Sequence, residues 1–209
     1  MPLSPPVSRQ LRHRRAIRLE AFERDDGLWD IEARLTDEKP RDVHLASGVR
    51  PNGLPIHELW LRITIDRKLT IVDAEASSEW APYRGQCAES NPAYRSLIGL
   101  NLLQNFRRET NRLLRGTAGC THLTELCAVL PTAAIQAFAG EVWSIENGNP
   151  RGAPLTNPDT KPQEQPPFQL GRCHALRFDG PAVGEYYPRW YGHKPREPED
   201  RPADEAKTG

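Results

Sequence analysis

The sequence predicts an α+β fold in which a mostly antiparallel sheet of hairpins packs against a group of helices. Three observations carry that expectation. Apolar and polar residues alternate with a period of two over 28–35 and again over 58–65, as they do in strands with one buried face. Asp26-Gly27 stands between two β-prone runs, where glycine supplies the positive φ that tight hairpin turns need. Beyond Asn91-Pro92 the apolar spacing changes to three and four residues, the rhythm of a helix.

The first hairpin is expected from Ala16–Phe22 and Leu28–Leu35, joined by Arg24-Asp25-Asp26-Gly27. In the second run Leu28, Asp30, Glu32 and Arg34 alternate with Trp29, Ile31, Ala33 and Leu35, so one face is wet. Turn formers then predict a loop from Thr36 through Asn52-Gly53, with Pro40, Pro51 and Pro55 blocking regular structure. A second hairpin follows, from Ile56–Asp66 and Leu69–Ser77. His57 shares the parity of Leu59, Leu61, Ile63 and Ile65, which places it at the mouth of the buried face. Pro92 in a first helical turn predicts a short helix to Ile98, and Leu102–Leu114 reads as a second helix. The third begins after Gly119-Cys120 and runs, kinked or restarted at Pro131, to Trp143. Phe168–Phe178 and Ala182–Tyr191, separated by Asp179-Gly180-Pro181, read as a late hairpin returning to the sheet. The whole is expected to be one domain over 9–192, with a proline-rich connection at 147–167 and a disordered tail at 193–209.

Composition narrows the function. The 28 Lys and Arg balance 28 Asp and Glu, so no global field draws the chain to nucleic acid or an anionic membrane. No apolar run approaches the roughly 20 residues of a membrane span, and the basic N-terminus lacks the apolar stretch of a signal peptide. Cys87, Cys120, Cys127 and Cys173 therefore read as reduced thiols in a cytoplasmic protein. A small-molecule substrate is the expected partner, and a homodimer is compatible with the sequence.

Several residues could carry chemistry. Cys120 and His122 lie where a glycine-bearing loop becomes a helix, a position whose free N–H groups favour a thiolate. On that helix His122 and Glu125 form an i, i+3 pair on one side, while Cys120, Thr124 and Cys127 share another. Cys127 reads as a small buried hydrophobe. His57 and Cys87 stand at element ends, and with Cys120 and His122 they make an N/S set suited to zinc ahead of iron. Glu58 and Glu125 are the candidate general bases. His13 and Arg14 would hold a substrate carboxylate, for which an arginine fork is well shaped. Tyr187 and Trp190, in an aromatic cluster that packing also explains, could stack on a planar substrate. Cys173-His174 is a further pair, although adjacent residues of a strand face opposite ways. No GxSxG, HExxH, EF-hand or glycine-rich phosphate loop is present.

The motifs LRHRRAIRLE, DGLWDIEARLTD, PIHELWLRITID with IVDAEA, APYRGQC, RGTAGCTHLTEL with PTAAIQAF, CHALRFDG and YYPRWY together resemble the bacterial DUF2889 family. The resemblance extends from Arg9 to Tyr191 and implies no particular activity. A weaker one, to iron–sulfur cluster scaffold proteins, matches the central hairpin, LIGLNL and GCTHLTEL. It implies a scaffold-like fold with His57 beside a ligand-bearing loop and Cys120 at the last ligand cysteine. Cys87 lies later than that pattern requires, and no cysteine precedes the hairpin.

The functional expectation is a cytoplasmic metal-dependent enzyme, a lyase ahead of a hydrolase, acting on a small organic acid or aromatic metabolite. His57, Cys120 and His122 are its expected ligands and Cys87 a fourth. A non-catalytic cluster or sulfur carrier, and a metal-free binding protein or enzyme, are the alternatives.

Overall fold

The computed structural model describes residues 3–83, 85–143 and 166–194, and its fold is α+β. The chain forms two compact units, Met1–Val142 and Trp143–Gly209. In the first, β1 (Arg14–Glu23) and β2 (Trp29–Glu38) form the first hairpin, closed by Gly27 at φ 80°. β5 (His57–Ile65) and β6 (Ile71–Trp80) form the second, and the four make one antiparallel sheet in the order β1-β2-β5-β6.

The two faces of this sheet differ as the alternation requires. Trp29, Ile31, Ala33 and Leu35 of β2 and Leu59, Leu61, Ile63 and Ile65 of β5 are buried. Each of the leucines and isoleucines among them stabilises the fold by about 1.5–3 kcal/mol when fully removed from water. The opposite face carries cross-strand ion pairs, Arg34 with Glu58 at 2.7 Å and Arg62 with both Glu32 and Glu75.

Two departures from the expected sheet bear on the site. β2 runs on through Thr36 and Asp37 to Glu38, where a loop was expected, because the inward–outward alternation continues until shortly before Pro40. The remainder of that loop holds a small hairpin, β3 (Val43–Leu45) and β4 (Gly48–Arg50), turned by Gly48 at φ 122°.

The helical half begins with a 3-10 run, Cys87–Leu97. The next helix, α1 (Phe106–Leu114), starts four residues later than its apolar rhythm suggests. Asn101 bridges to Thr70, Leu102 N–H bonds to Leu69 O, and Asn105 adopts φ 54°, so 101–105 is tied to the sheet end and cannot be helical. α2 (Thr121–Phe138) passes through Pro131 unbroken and ends at Phe138, short of Trp143. Its buried Leu123, Leu126, Cys127, Leu130, Ala134 and Phe138 form the apolar stripe that packs on β1, β2 and β5. No helix among the described residues is long and apolar enough to cross a membrane.

In the second unit, the late hairpin expected over 168–178 and 182–191 is replaced by turns, a short helix α3 (Pro181–Tyr186) and a 3-10 turn, Pro188–Trp190. Gly180-Pro181 explains the difference, since proline at the first helical position starts a helix where an extended strand was expected. Leu170, Val183 and Trp190 form its small core, with Leu176, Phe178 and Tyr187 packed against it. Most of the expected connection at 147–167 and tail at 193–209 lies outside the described residues.

Candidate metal centre

Strand register assembles the site at one end of the sheet. Arg15 of β1 lies opposite Asp37 of β2, and Asp37 lies opposite His57 of β5. These positions continue the inward parity of Ile17, Leu35 and Leu59, so the three side chains leave the sheet on the face that α2 covers. The first turn of α2 brings His122, and the next Glu125, onto the same end.

Asp37 is the hub. Its side chain is 3% exposed, and both carboxylate oxygens are engaged. Arg15 donates from Nε to Oδ1 and from Nη2 to Oδ2, each at 2.8 Å, a two-pronged clamp. His57 Nδ1 lies 3.0 Å from Oδ2, His13 Nε2 lies 3.1 Å from Oδ1, and His122 Nε2 lies 3.8 Å from Oδ2. Burial alone would push the carboxyl up, but Arg15, with His57 and His13, outweighs it and holds Asp37 below the ordinary carboxylate value. The remaining guanidinium arm, Arg15 Nη1, reaches Glu125 at 2.5 Å and ties β1 to α2.

The two imidazoles stack with ring centroids 4.0 Å apart, yet they titrate differently. Burial, and then the neighbouring His122, push His57 down, favouring a neutral ring. His122 is pushed up, chiefly by Cys120, whose Sγ lies 3.8 Å from His122 Nδ1. Burial raises the Cys120 thiol, but His122 and the backbone N–H groups of Leu123 and His122 more than compensate, so its net shift is downward. Cys120 is the N-cap of α2, where the first N–H groups have no carbonyl partner within the helix.

The loop carrying Cys120 is held from beneath. Tyr94, fully buried, donates its hydroxyl to Cys120 O at 2.8 Å, accepts from Cys120 N–H at 3.1 Å and bonds Thr124 Oγ1 at 2.8 Å. Gly119 permits this approach: a Cβ there would stand 2.7 Å from Leu114 O and 3.2 Å from the Tyr94 hydroxyl.

One ligand-capable atom from each of Asp37, His57 and His122 falls within 4.8 Å of the others. Tetrahedral zinc with bonds of about 2.0–2.1 Å has ligand-to-ligand edges near 3.3–3.4 Å. The distances from Asp37 Oδ2 to the two imidazoles, 3.0 and 3.8 Å, bracket that value.

The other sequence candidates lie as follows. His13 touches Asp37, whereas Arg14 turns to the other face of β1, 3.7 Å from Glu38. Glu58, next to His57 on the strand, faces the other side of the sheet and pairs with Arg34. Cys87 begins the 3-10 run and is no member of the converging group, and neither is Cys120, which contacts His122 through the other ring nitrogen. Thr124 and Cys127 turn toward α1, where they line a cavity of about 110 Å³ with Thr110. Tyr187 and Trp190 belong to the core of the second unit, which also contains Cys173 and His174. The sequence missed Asp37, and of the basic run His13-Arg14-Arg15, which suggests carboxylate binding, it favoured Arg14 where Arg15 holds the carboxylate. The signal was present: Asp37 extends the inward series Ile31, Ala33 and Leu35, and Arg15 extends Ile17 and Leu19.

A family model described as "Protein of unknown function (DUF2889)" matches residues 13–136, a stretch that begins at His13 and includes every residue of this centre. No curated protein and no solved structure matches the chain significantly.

Proposed function

From the premise that the chain belongs to this family of unknown function, we propose that it is a metal-dependent enzyme whose ion is held by Asp37, His57 and His122. The convergence of those three side chains on one buried carboxylate is the observation that carries the proposal. Two imidazoles and one carboxylate suit zinc, the ion this reading takes first, and also ferrous iron, and three protein ligands leave a coordination position for water or substrate. An ion so held polarises a carbonyl or activates water, chemistry that a lyase or hydrolase of a small organic acid or aromatic metabolite requires.

The surrounding residues supply the rest. His57 and His122 side chains are 18% and 26% exposed, so the site opens to solvent on one side. Glu125, half-exposed and linked to Asp37 through Arg15, is the carboxylate this reading assigns to proton transfer. Arg15 provides positive charge at the rim, although its arms are already taken by Asp37 and Glu125, and His13 adds an imidazole beside Asp37. A cluster carrier gains less support, because the converging group contains no cysteine.

One observation favours a second reading, a metal-free acid–base or thiol enzyme. Arg15 already neutralises Asp37, and Cys120, His122 and Asp37 form a thiol–imidazole–carboxylate line with both steps at 3.8 Å. Calorimetric titration of chelator-treated protein with Zn²⁺ separates the two readings. One tight site in the wild type, lost in His57→Ala, supports the metal centre, whereas no binding leaves the metal-free enzyme.

A further inference from the structure

We propose that Cys120 is a positioning residue for this centre, holding His122 from the far side of its ring, and is not a ligand of the ion. The inference rests on the metal reading and deepens it. His122 presents Nε2 toward Asp37 and Nδ1 toward Cys120 Sγ. An imidazole that binds an ion through Nε2 carries its proton on Nδ1, and that N–H needs an acceptor. Sγ, 3.8 Å away, is the acceptor at that nitrogen.

The same geometry excludes direct ligation while the contact lasts. The two ring nitrogens point away from one another, so an ion bound at Nε2 beside Asp37 lies across the ring from the sulfur. An ion shared by Cys120 and His122 would abandon Asp37, and with it His57, which contacts the same Asp37 oxygen.

Cys120 is also held more firmly than a capping residue requires. Tyr94 bonds both its carbonyl and its N–H, and Gly119 lacks the side chain that would push the loop off Leu114 and Tyr94. Through this chain of contacts the 3-10 run fixes the loop, the loop fixes the sulfur, and the sulfur fixes the rotation of the His122 ring. In metal sites, removing such an outer partner of a ligating histidine costs about 10–100-fold in affinity.

Co²⁺ binding to chelator-treated full-length protein tests this, followed by visible and near-ultraviolet absorption in the wild type, Cys120→Ala and Cys120→Ser. Circular dichroism of each variant confirms that it is folded. The expected result is a wild-type cobalt spectrum without a thiolate-to-metal charge-transfer band. Affinity should fall about 10–100-fold in Cys120→Ala and recover in Cys120→Ser, which returns an acceptor of similar size. A charge-transfer band that disappears in Cys120→Ala would make Cys120 a ligand and overturn the inference. Unchanged affinity in Cys120→Ala would overturn it as well. If the wild type binds no Co²⁺, the metal reading itself fails and takes this inference with it.

Discussion

Replacing Asp37 by Asn should destabilise the first unit even when no metal is bound, because Asp37 is the buried anion on which four cationic or N–H-bearing partners converge. The substitution keeps size and shape but removes the charge, and its amide NH₂ must face at least one Arg15 donor. Breaking a buried ion pair by removing one partner costs about 3–5 kcal/mol. Asp37 is 3% exposed but Arg15 is 34% exposed, so water recovers part of the orphaned guanidinium's hydration. Discounting for that exposure leaves about 2–3 kcal/mol. For a unit of this size the loss corresponds to roughly 4–12 °C in Tm. The assay is urea and thermal unfolding of chelator-treated protein, followed by circular dichroism across a pH series. The carboxyl is held below its ordinary value of 3.8 in the folded state, so its contribution is fully present above that pH and is lost as pH falls through the folded value. The gap between wild type and Asp37→Asn should therefore be widest near neutrality and should close in acid. Midpoints that agree within about 0.5 kcal/mol at neutral pH would refute the reasoning, since ordinary surface substitutions do no more. A gap that widens on acidification would refute it too.

Three further outcomes are expected. Tyr94→Phe removes the acceptor of the Cys120 N–H, while Cys120 O keeps the Thr124 N–H; equilibrium unfolding should show a loss of about 1–3 kcal/mol. Burial pushes the Cys127 thiol up to about 12, whereas Cys120 is shifted down. In metal-free protein near neutral pH, timed iodoacetamide labelling with mass spectrometry should therefore modify Cys120 well before Cys127, and equal rates would contradict the environments described. Phe138→Ala, at the end of α2 where the ring packs 5.1 Å from Trp29, should cost about 3–5 kcal/mol in denaturant titration.

The sheet was legible in the sequence because alternation at a period of two is imposed by the pleat itself; in β2 it runs from Trp29 through Thr36, and over 58–65 of β5 only Trp60 on the ion-paired face departs from it. The same rule, followed two residues further, would have carried β2 past Leu35 and exposed Asp37 as an acid on the inward face. Turn formers near Pro40 obscured it. Parity likewise separates Arg15 from Arg14, once β1 is taken to begin at Arg14. The convergence of Arg15, Asp37 and His57 was not legible, because it depends on the register of three strands, which local pattern does not fix. The helix start at Cys120 was readable from Gly119 and the apolar spacing that follows. That Sγ meets one nitrogen of His122 while Asp37 meets the other is a fact of side-chain rotation, and only the folded chain shows it. The late hairpin failed for a local reason, since Gly180-Pro181 starts a helix as readily as it makes a turn.

The most direct test of the account is the metal content of the untagged full-length protein, measured by inductively coupled plasma mass spectrometry on the wild type and on folded His57→Ala and Asp37→Asn variants. The account predicts one equivalent of a divalent ion, with zinc foremost, in the wild type and much less than one in either variant. Wild-type protein that holds no stoichiometric metal after zinc supplementation and desalting, or variants that retain a full equivalent, would contradict it.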